Sequence, residues 1–250
     1  MSKKFALPLV LALAVPLLLI DAPLGIGKDA GVAEAASAKQ WLQISARATY
    51  YGEVAGGKPH GRGTIRWGDS KQYSGSFVGG KRSGEGKYAN VYTDEETGLE
   101  HRIVYTGTWS GDRMNGSGTW REKIGAPGGP VVSDTIRIGV FRGDRWTRGY
   151  EVVHATADPD HSFSYRGADY RLDILGSDTS LLADWKSGTL FDVQYYQGSE
   201  HASYSIFQGS TAAEEKRRLA ALKKLRGMTS KVEPVLRQFE AISKRLSLKR

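Results

Sequence analysis

A glycine and aromatic motif that recurs between residues 50 and 120 constrains this chain more than any other feature. Each copy begins with Tyr-x-Gly-x and a hydrophobic residue, continues to a pair of glycines, and ends on a further hydrophobic residue. The copies begin at Tyr50, Tyr73 and Tyr105. Their glycine pairs are Gly61/Gly63, Gly84/Gly86 and Gly116/Gly118. Self-similarity of this kind predicts a repeat architecture.

Alternation along an extended strand predicts how each copy folds. Residues two apart share one face of a strand, so the Tyr, the Gly and the aromatic residue lie together. Each glycine leaves a hollow in which we expect an aromatic ring of the next hairpin to lie flat. A single hairpin is marginally stable in water, whereas stacked hairpins bury a continuous seam. The residues predicted to build this seam are Tyr50, Gly52, Tyr73, Gly75, Phe77, Gly84, Gly86, Tyr105, Gly107, Trp109, Gly116 and Gly118.

The spacing of the copies is uneven. The first two start 23 residues apart, and the third starts 32 residues after the second. The additional residues fall within Ala89–Val104, which carries the acidic run Asp94-Glu95-Glu96. A fourth, degraded copy contains Gly139-Val140-Phe141, with Arg148 and Tyr150 where glycines are expected. The array is therefore predicted to span residues 50–150.

This pattern resembles the MORN (membrane occupation and recognition nexus) repeat, in the form found in secreted bacterial proteins. The resemblance covers about residues 50–150 and implies an elongated antiparallel sheet of stacked β-hairpins. MORN-repeat proteins serve as scaffolds, dimerisation surfaces or membrane-associated modules, so the resemblance implies a binding role. We therefore predict a mainly β chain that is an exported scaffold without enzymatic activity.

Residues 151–209 are predicted to continue or cap the sheet. Asp169–Leu175 alternates as a strand does, and Tyr204–Phe207 is predicted as another strand. Trp185–Phe191 is predicted to form a strand with a turn at Ser187-Gly188, returning through Tyr195 and Tyr196. Exposed aromatic rings bind sugars, so Trp185, Tyr195 and Tyr196 support an alternative: an extracellular carbohydrate-binding protein or hydrolase.

Residues 210–250 change to helix-forming composition. Capping boxes at Thr211/Glu214 and Ser230/Glu233 predict two amphipathic helices that meet around Gly227. Residues 211–250 contain 12 Lys/Arg and 4 Glu, which accounts for the whole net charge of +8. The apolar stripes of the two predicted helices either dock on the sheet or bind a surface, and the two readings are compatible.

The basic residues of this helical hairpin are the candidate site for binding an anionic surface. Anionic lipid, a cell-wall polymer or an unidentified protein is the expected partner. Nucleic acid is disfavoured, because Phe239 is the single aromatic residue among these charges. The candidate residues are Lys216, Arg217, Arg218, Lys223, Lys224, Arg226, Lys244 and Arg245.

The first 38 residues are predicted to be a signal peptide. Lys3 and Lys4 precede an apolar run over Phe5–Ile20, and Ala33-Glu34-Ala35 and Ala36-Ser37-Ala38 fit signal peptidase. Asp21 ends the apolar run early, so an uncleaved anchor is the alternative. Both readings predict a secreted or extracytoplasmic protein, and both are compatible with association with the cell surface.

No catalytic motif is evident in the sequence. The chain lacks cysteine, and it has no Gly-x-Ser-x-Gly elbow, P-loop or His-Glu-x-x-His motif. His154 and His161 flank Asp158-Pro159-Asp160, but their spacing matches no closed zinc site and Asp-Pro-Asp is ordinary turn chemistry. We therefore predict a loop there, with no catalytic residue, cofactor or metal.

Overall fold

The computed structural model describes residues 38–176 and 180–249, so residues 1–37 of the predicted signal segment lie outside the described part. Within those ranges the chain forms thirteen strands and three helices. The strands are β1 Gln40–Ser45, β2 Ala48–Ala55, β3 Lys58–Trp67, β4 Lys71–Val78, β5 Lys81–Thr93, β6 Glu100–Ser110, β7 Arg113–Gly125, β8 Val131–Arg142, β9 Arg145–Ala155, β10 His161–Arg166, β11 Arg171–Gly176, β12 Asp192–Gln197 and β13 Glu200–Ser205. The helices are α1 Leu181–Ser187, α2 Ala212–Gly227 and α3 Thr229–Ser243.

All the described strands belong to one antiparallel sheet, in which their spatial order is their sequence order from β1 to β13. The sheet runs without a break past residue 150, and β10 to β13 extend it beyond the repeats. The three helices follow or interrupt the last strands. The predicted fold class, a mainly β antiparallel sheet of hairpins with helices at the C-terminal end, is confirmed.

Two-residue turns close the four hairpins of the array. Gly79 and Gly80 join β4 to β5 with φ of 57° and 88°, and Gly111 and Asp112 join β6 to β7 with φ of 56° and 72°. Two successive positive φ values define the type I′ turn, whose twist matches that of the flanking strands. These turns fix the register of each hairpin and therefore the position of every glycine in it.

A ladder of glycines crosses eight strands of the sheet. Each glycine lies directly opposite the next one in the backbone register, from β2 to β9. Its members are Gly52, Gly63, Gly75, Gly86, Gly107, Gly118, Gly139 and Gly149. In the fourth hairpin Gly149 is the partner of Gly139. The expectation that this hairpin had lost its second glycine was wrong, because the register places Gly149 between Arg148 and Tyr150 at that position.

The two faces of the sheet carry two separate cores. One face holds the aromatic residues of the repeats, centred on Tyr50, Tyr73 and Tyr105, which are fully buried. The opposite face is covered by helices over the C-terminal strands, where Phe239 of α3 packs on Tyr150 and Phe163 with ring centroids 5.7 and 5.4 Å apart. The predicted docking of the apolar stripe is therefore observed for α3.

The segment around Trp185 is helical, which corrects the predicted strand and turn. Leu181, Leu182 and Trp185 have helical spacing, and all three are buried against α3 and the sheet. Gly188 ends α1 in a left-handed conformation with φ of 79°. The predicted Ser187-Gly188 turn is a helix C-cap, while Tyr195 and Tyr196 do lie on a strand, β12. Strand β13 ends at Ser205, two residues before the predicted end.

The two C-terminal helices meet at Gly227 and Met228. The predicted capping box of α2 is present, because Thr211 accepts from the Glu214 amide and Glu214 bonds back to Thr211. The second box is absent: α3 begins at Thr229 and has no side-chain cap, so Ser230 lies inside its first turn. Pro234 lies inside α3, at the sixth residue of the helix.

Candidate functional site

The repeat seam is closed by each tyrosine folding back over its own hairpin. The hydroxyls of Tyr50, Tyr73 and Tyr105 donate to the carbonyls of Glu53, Ser76 and Thr108, at 2.6, 3.0 and 3.1 Å. Each acceptor lies at a β-bulge, where the hairpin register shifts. A ring in this position fills the space above the two ladder glycines that face each other across its own hairpin. The expectation that the next hairpin supplies the ring was therefore wrong.

Neighbouring hairpins meet edge to face instead. The ring of Tyr50 contacts Phe77 at 5.1 Å between centroids, and Tyr73 contacts Trp109 at 5.2 Å. Interplanar angles of 81° and 79° are the T-shaped geometry that aromatic rings favour. The same contact joins Tyr105 to the fourth hairpin. Successive repeats are thus held together because the tyrosine of one hairpin packs on an aromatic residue of the next hairpin.

Burial keeps the phenol groups of two seam tyrosines protonated. Burial raises the pKa of Tyr73 and of Tyr105 to about 12, so both phenols stay protonated at neutral pH. The predicted seam residues Gly84 and Gly116 lie outside the tyrosine packing: a side chain added at either would meet Ser76 or Thr108 of the facing strand. The other predicted glycines contact the tyrosine rings or the glycine opposite.

Among residues 38–176 and 180–249, no helix covers the face opposite the seam over the N-terminal strands. A cross-strand row there is rich in hydroxyl groups, and Thr64 and Ser74 bond to each other at 2.8 Å. A shallow groove of about 450 Å³ runs along this row above the glycine ladder. At the edge strand, Trp41 is 73% exposed and its ring contacts Tyr51. The row comprises Trp41, Tyr51, Thr64, Ser74, Lys87, Thr106 and Thr119.

Helix α2 is attached along one side only. Leu225 is buried, Leu222 is half-buried, and Arg218 donates to Tyr204 Oη and Ser205 O of β13 at 3.1 and 3.3 Å. Arg218 also pairs with Glu215 at 2.7 Å. The hydrogen bond from Arg218 lowers the pKa of Glu215 to about 2, and the pair raises the pKa of Arg218. Arg218 is thus a structural anchor of α2, and Leu219 of the predicted stripe is half exposed.

The remaining candidate cations of α2 divide into two groups. Lys224 pairs with Glu200 at 3.3 Å, and Arg226 Nη2 donates to Ser187 O at 2.6 Å. Lys216, Arg217 and Lys223 are exposed, and within residues 38–176 and 180–249 they form no ion pair or hydrogen bond through their side chains. The free charge of α2 therefore resides on these three residues.

Lys244 and Arg245 lie at the other end of the helical pair, next to strands β7 and β8. Both are exposed, and the carbonyl of Arg245 accepts from Arg121 Nη2 at 2.9 Å. The chain beyond α3 is bound to buried Asp134, which accepts from the Ser247 amide at 2.9 Å and from Arg121 Nη2 at 2.5 Å. The hydrogen bond to Asp134 raises the pKa of Arg121.

The aromatic residues proposed for sugar binding do not offer exposed rings. Trp185 is 2% exposed, and its Nε1 donates to Thr229 Oγ1 at 3.1 Å. Tyr195 is fully buried and its hydroxyl accepts from Lys231. Tyr196 is half-buried between His201 and Arg171. The sequence pattern predicted a strand at Trp185 with an exposed ring. In the structure this segment is helix α1, which directs Trp185 into the core.

The cluster of His154, Asp160 and His161, for which the sequence favoured a loop without metal, forms a histidine pair across two strands. His154 and His161 are direct cross-strand partners on β9 and β10, and their rings stack with centroids 4.3 Å apart. Asp160 contacts both imidazoles. Burial lowers the pKa of His154, and neighbouring His161 lowers it further, against Asp160 and Asp134. The antiparallel register was the missing signal, since it cannot be read from the spacing of seven residues.

None of the helices in the described ranges has both the length and the apolar character needed to cross a bilayer.

Comparison with known proteins bears on the array. A family model for the MORN repeat matches residues 50–72, 73–90 and 105–121, which correspond to the first three hairpins. Alsin from Homo sapiens is 37% identical over 94 residues, and alsin from Mus musculus is 37% identical over 92 residues. Each match covers 37% of this chain and 5% of alsin.

A shorter relative matches the same repeats. MORN repeat-containing protein 3 from Xenopus laevis is 41% identical over 71 residues, which is 28% of this chain and 29% of that protein. This chain thus spans a small fraction of the curated relatives it matches. MORN repeats often mediate membrane or protein interactions, and they generally form non-catalytic scaffolds. The chain is therefore a protein with three MORN repeats at residues 50–121.

Proposed function

We propose that this protein is an exported, non-enzymatic MORN-repeat scaffold that attaches to anionic lipid surfaces through helix α2. The observation that carries the proposal is the set of free charges on α2. Lys216, Arg217 and Lys223 are exposed and unpaired among the described residues, on a helix whose other side is fixed to β13.

The geometry of α2 supports this proposal. Lys216 and Lys223 are seven residues apart, close to two helical turns, so both extend from the same face. That face is directed away from the sheet, because Arg218, Leu222 and Leu225 occupy the attached side. A flat anionic surface could therefore approach α2 without displacing it. Leu219 lies between the two lysines and is 50% exposed, which adds one apolar contact.

The magnitude of the attraction is sufficient for measurable binding. Each Lys or Arg near an anionic bilayer contributes about 1 kcal/mol. Lys224 adds to the three free charges, since its pair with Glu200 is exposed and weak. The sheet contributes rigidity rather than charge, because residues 211–250 hold the whole net charge of the chain.

Export and the absence of catalysis rest on other evidence. Export is supported by the signal-like composition of the first 38 residues. A scaffold role is supported by the seam, whose tyrosines and glycines are engaged in packing, and by the non-catalytic character of the matching repeats. Trp185, on which the carbohydrate-binding alternative depended, is buried.

The test is co-sedimentation of the full chain with phosphatidylcholine vesicles, with and without phosphatidylglycerol. We expect binding to the anionic vesicles alone, and at least a tenfold loss in Lys216→Gln/Arg217→Gln/Lys223→Gln. The matched control is Lys58→Gln/Arg66→Gln/Lys81→Gln, which removes the same charge from exposed positions on the array. Equal losses in both variants, or no binding by the unmodified chain, overturn the proposal. The second outcome would direct attention to a protein partner.

A further inference from the structure

The β9–β10 hairpin brings three potential metal ligands to one place. His154 is the second-last residue of β9, and His161 is the first of β10. Because the two are paired in an antiparallel register, their side chains project from the same face. Asp160, the residue before β10, places its carboxylate oxygens against one nitrogen of each imidazole. The nitrogen and oxygen atoms that these residues offer all lie within 4.8 Å of one another.

Distances within the cluster are close to those of ligands sharing an ion. Asp160 Oδ1 lies 2.7 Å from His161 Nδ1, and Asp160 Oδ2 lies 3.7 Å from His154 Nε2. In a tetrahedral zinc site with bonds of about 2.0 Å, neighbouring ligand atoms are about 3.3 Å apart. Rotation of the imidazole rings out of their stacked arrangement would place one ion in contact with all three residues.

The backbone around the cluster is fixed before any ion binds. The Ala155 amide donates to Asp160 O at 2.8 Å, which closes the hairpin, and the Thr156 amide donates to Val132 O of the neighbouring region at 2.9 Å. Phe163 lies parallel to the His161 ring with centroids 5.9 Å apart, and Phe163 itself is fully buried. These contacts hold the backbone of the hairpin and one side of the His161 ring in place.

We propose that His154, Asp160 and His161 bind a divalent transition metal of the zinc class. Two imidazole nitrogens and one carboxylate oxygen suit Zn²⁺ and its neighbours, whereas Ca²⁺ and Mg²⁺ require sets of oxygen ligands. The side chains of His154 and Asp160 are 24% and 35% exposed, so the site opens to solvent and water completes the coordination. This assignment replaces the sequence-based expectation of a plain loop without metal.

Buried Asp134 lies next to the cluster without supplying another ligand. Asp134 is opposite His154 in the register of β8 and β9, and it is completely buried. Its oxygens are already bound by Arg121 and by the Ser247 amide. Asp134 therefore stays outside the ligand set.

The chain contains an internal comparison for this cluster. His101 bonds to Glu122 at 2.8 Å and stacks on Tyr92, so it has a carboxylate and an aromatic neighbour without a second imidazole. Two ligands bind zinc far more weakly than three, since each ligand removed leaves a position for water. We expect no tight site at His101.

Isothermal titration of the chelator-treated full chain with ZnCl₂ and with CaCl₂ tests the proposal. We expect one Zn²⁺ to bind with a dissociation constant of about 10 µM or tighter, and Ca²⁺ not to compete. His154→Gln and Asp160→Asn should each weaken binding at least tenfold, while His101→Gln leaves it unchanged. Circular dichroism of each metal-free variant verifies folding. Absence of saturable Zn²⁺ binding overturns the proposal. So does a Zn²⁺ affinity in His154→Gln and Asp160→Asn that equals the affinity of the unmodified chain.

Discussion

The ring of Tyr73 lies against the α-carbon of Gly86, and its hydroxyl donates to Ser76 O at 3.0 Å. Tyr73 lies on β4 and Gly86 on β5, so this contact closes one hairpin upon itself. A residue with a side chain at position 86 would place its β-carbon in steric overlap with atoms of the Tyr73 ring. The same relationship joins Tyr50 to Gly63 and Tyr105 to Gly118. It explains why glycine and tyrosine recur together in the sequence.

Replacing Gly86 by alanine should destabilise the protein. The added methyl group has no space, so the ring must move and lose its hydrogen bond; overpacking of this kind costs about 1–3 kcal/mol. Denaturant unfolding should show the corresponding loss. Gly227→Ala is the control, because nothing lies near its added β-carbon. Alanine is also more favourable than glycine within a helix. Equal stability of Gly86→Ala and the unmodified protein would contradict the packing described for Tyr73.

Alkaline pH should weaken the array through its buried tyrosines. Burial raises the pKa of Tyr73 and Tyr105 to about 12, whereas in the unfolded chain both ionise near 10. The stability that this difference represents is fully present below pH 10 and is lost as the pH rises toward 12. Phenolate absorbance should therefore rise in more than one step, with part of the change delayed until Tyr73 and Tyr105 ionise near pH 12. A single transition near pH 10 for every tyrosine, with no change in stability above it, would be inconsistent with this burial.

Replacing Trp185 by a smaller residue should lower the stability of the fold, because Trp185 is a core residue and not part of a sugar-binding surface. The side chain is buried in the core between α1, α3 and the sheet, so Trp185→Ala should cost about 3–5 kcal/mol. Trp185→Phe keeps most of the packing and removes the bond to Thr229, so a smaller loss is expected. Thermal unfolding distinguishes the two. Selective loss of glycan retention in a Trp185→Phe protein of unchanged stability would instead restore the carbohydrate-binding reading.

Removing the α2 cap should loosen the start of that helix. Thr211 accepts from the Glu214 amide at 3.2 Å, and Thr211→Ala should cost about 1 kcal/mol. Hydrogen exchange should rise in the first turn of α2 and remain unchanged in the array. Ser230→Ala is the matched control, since Ser230 does not cap α3. A similar effect from both substitutions would argue against the observed helix boundaries.

The repeat fold could be predicted because its signals are local. Tyr, Gly and turn residues at fixed offsets specify hairpins, and Gly79-Gly80 specifies a turn that few other pairs can adopt. Trp185 was misread because Ser187-Gly188 satisfies a turn and a helix C-cap equally well. What decides between them is the burial of Leu181 and Leu182 against α3, a tertiary contact.

The candidate sites were predictable to different degrees. Basic residues of α2 could be named from composition, but their ion pairs could not, because Glu200 and Ser187 are distant in sequence from Lys224 and Arg226. The pairing of His154 with His161 depends on the register of β9 and β10, which the loop between them sets. Spacing alone does not contain that information.

The salt dependence of vesicle binding tests the role of α2 most directly. The Debye length falls from about 10 Å at 0.1 M salt to about 3 Å at 1 M, so attraction between exposed lysines and anionic lipid is strongly screened. We expect the bound fraction of the full chain on phosphatidylglycerol-containing vesicles to fall severalfold as NaCl rises from about 0.05 to about 0.5 M. Binding that persists unchanged across this range would contradict attachment through Lys216, Arg217 and Lys223.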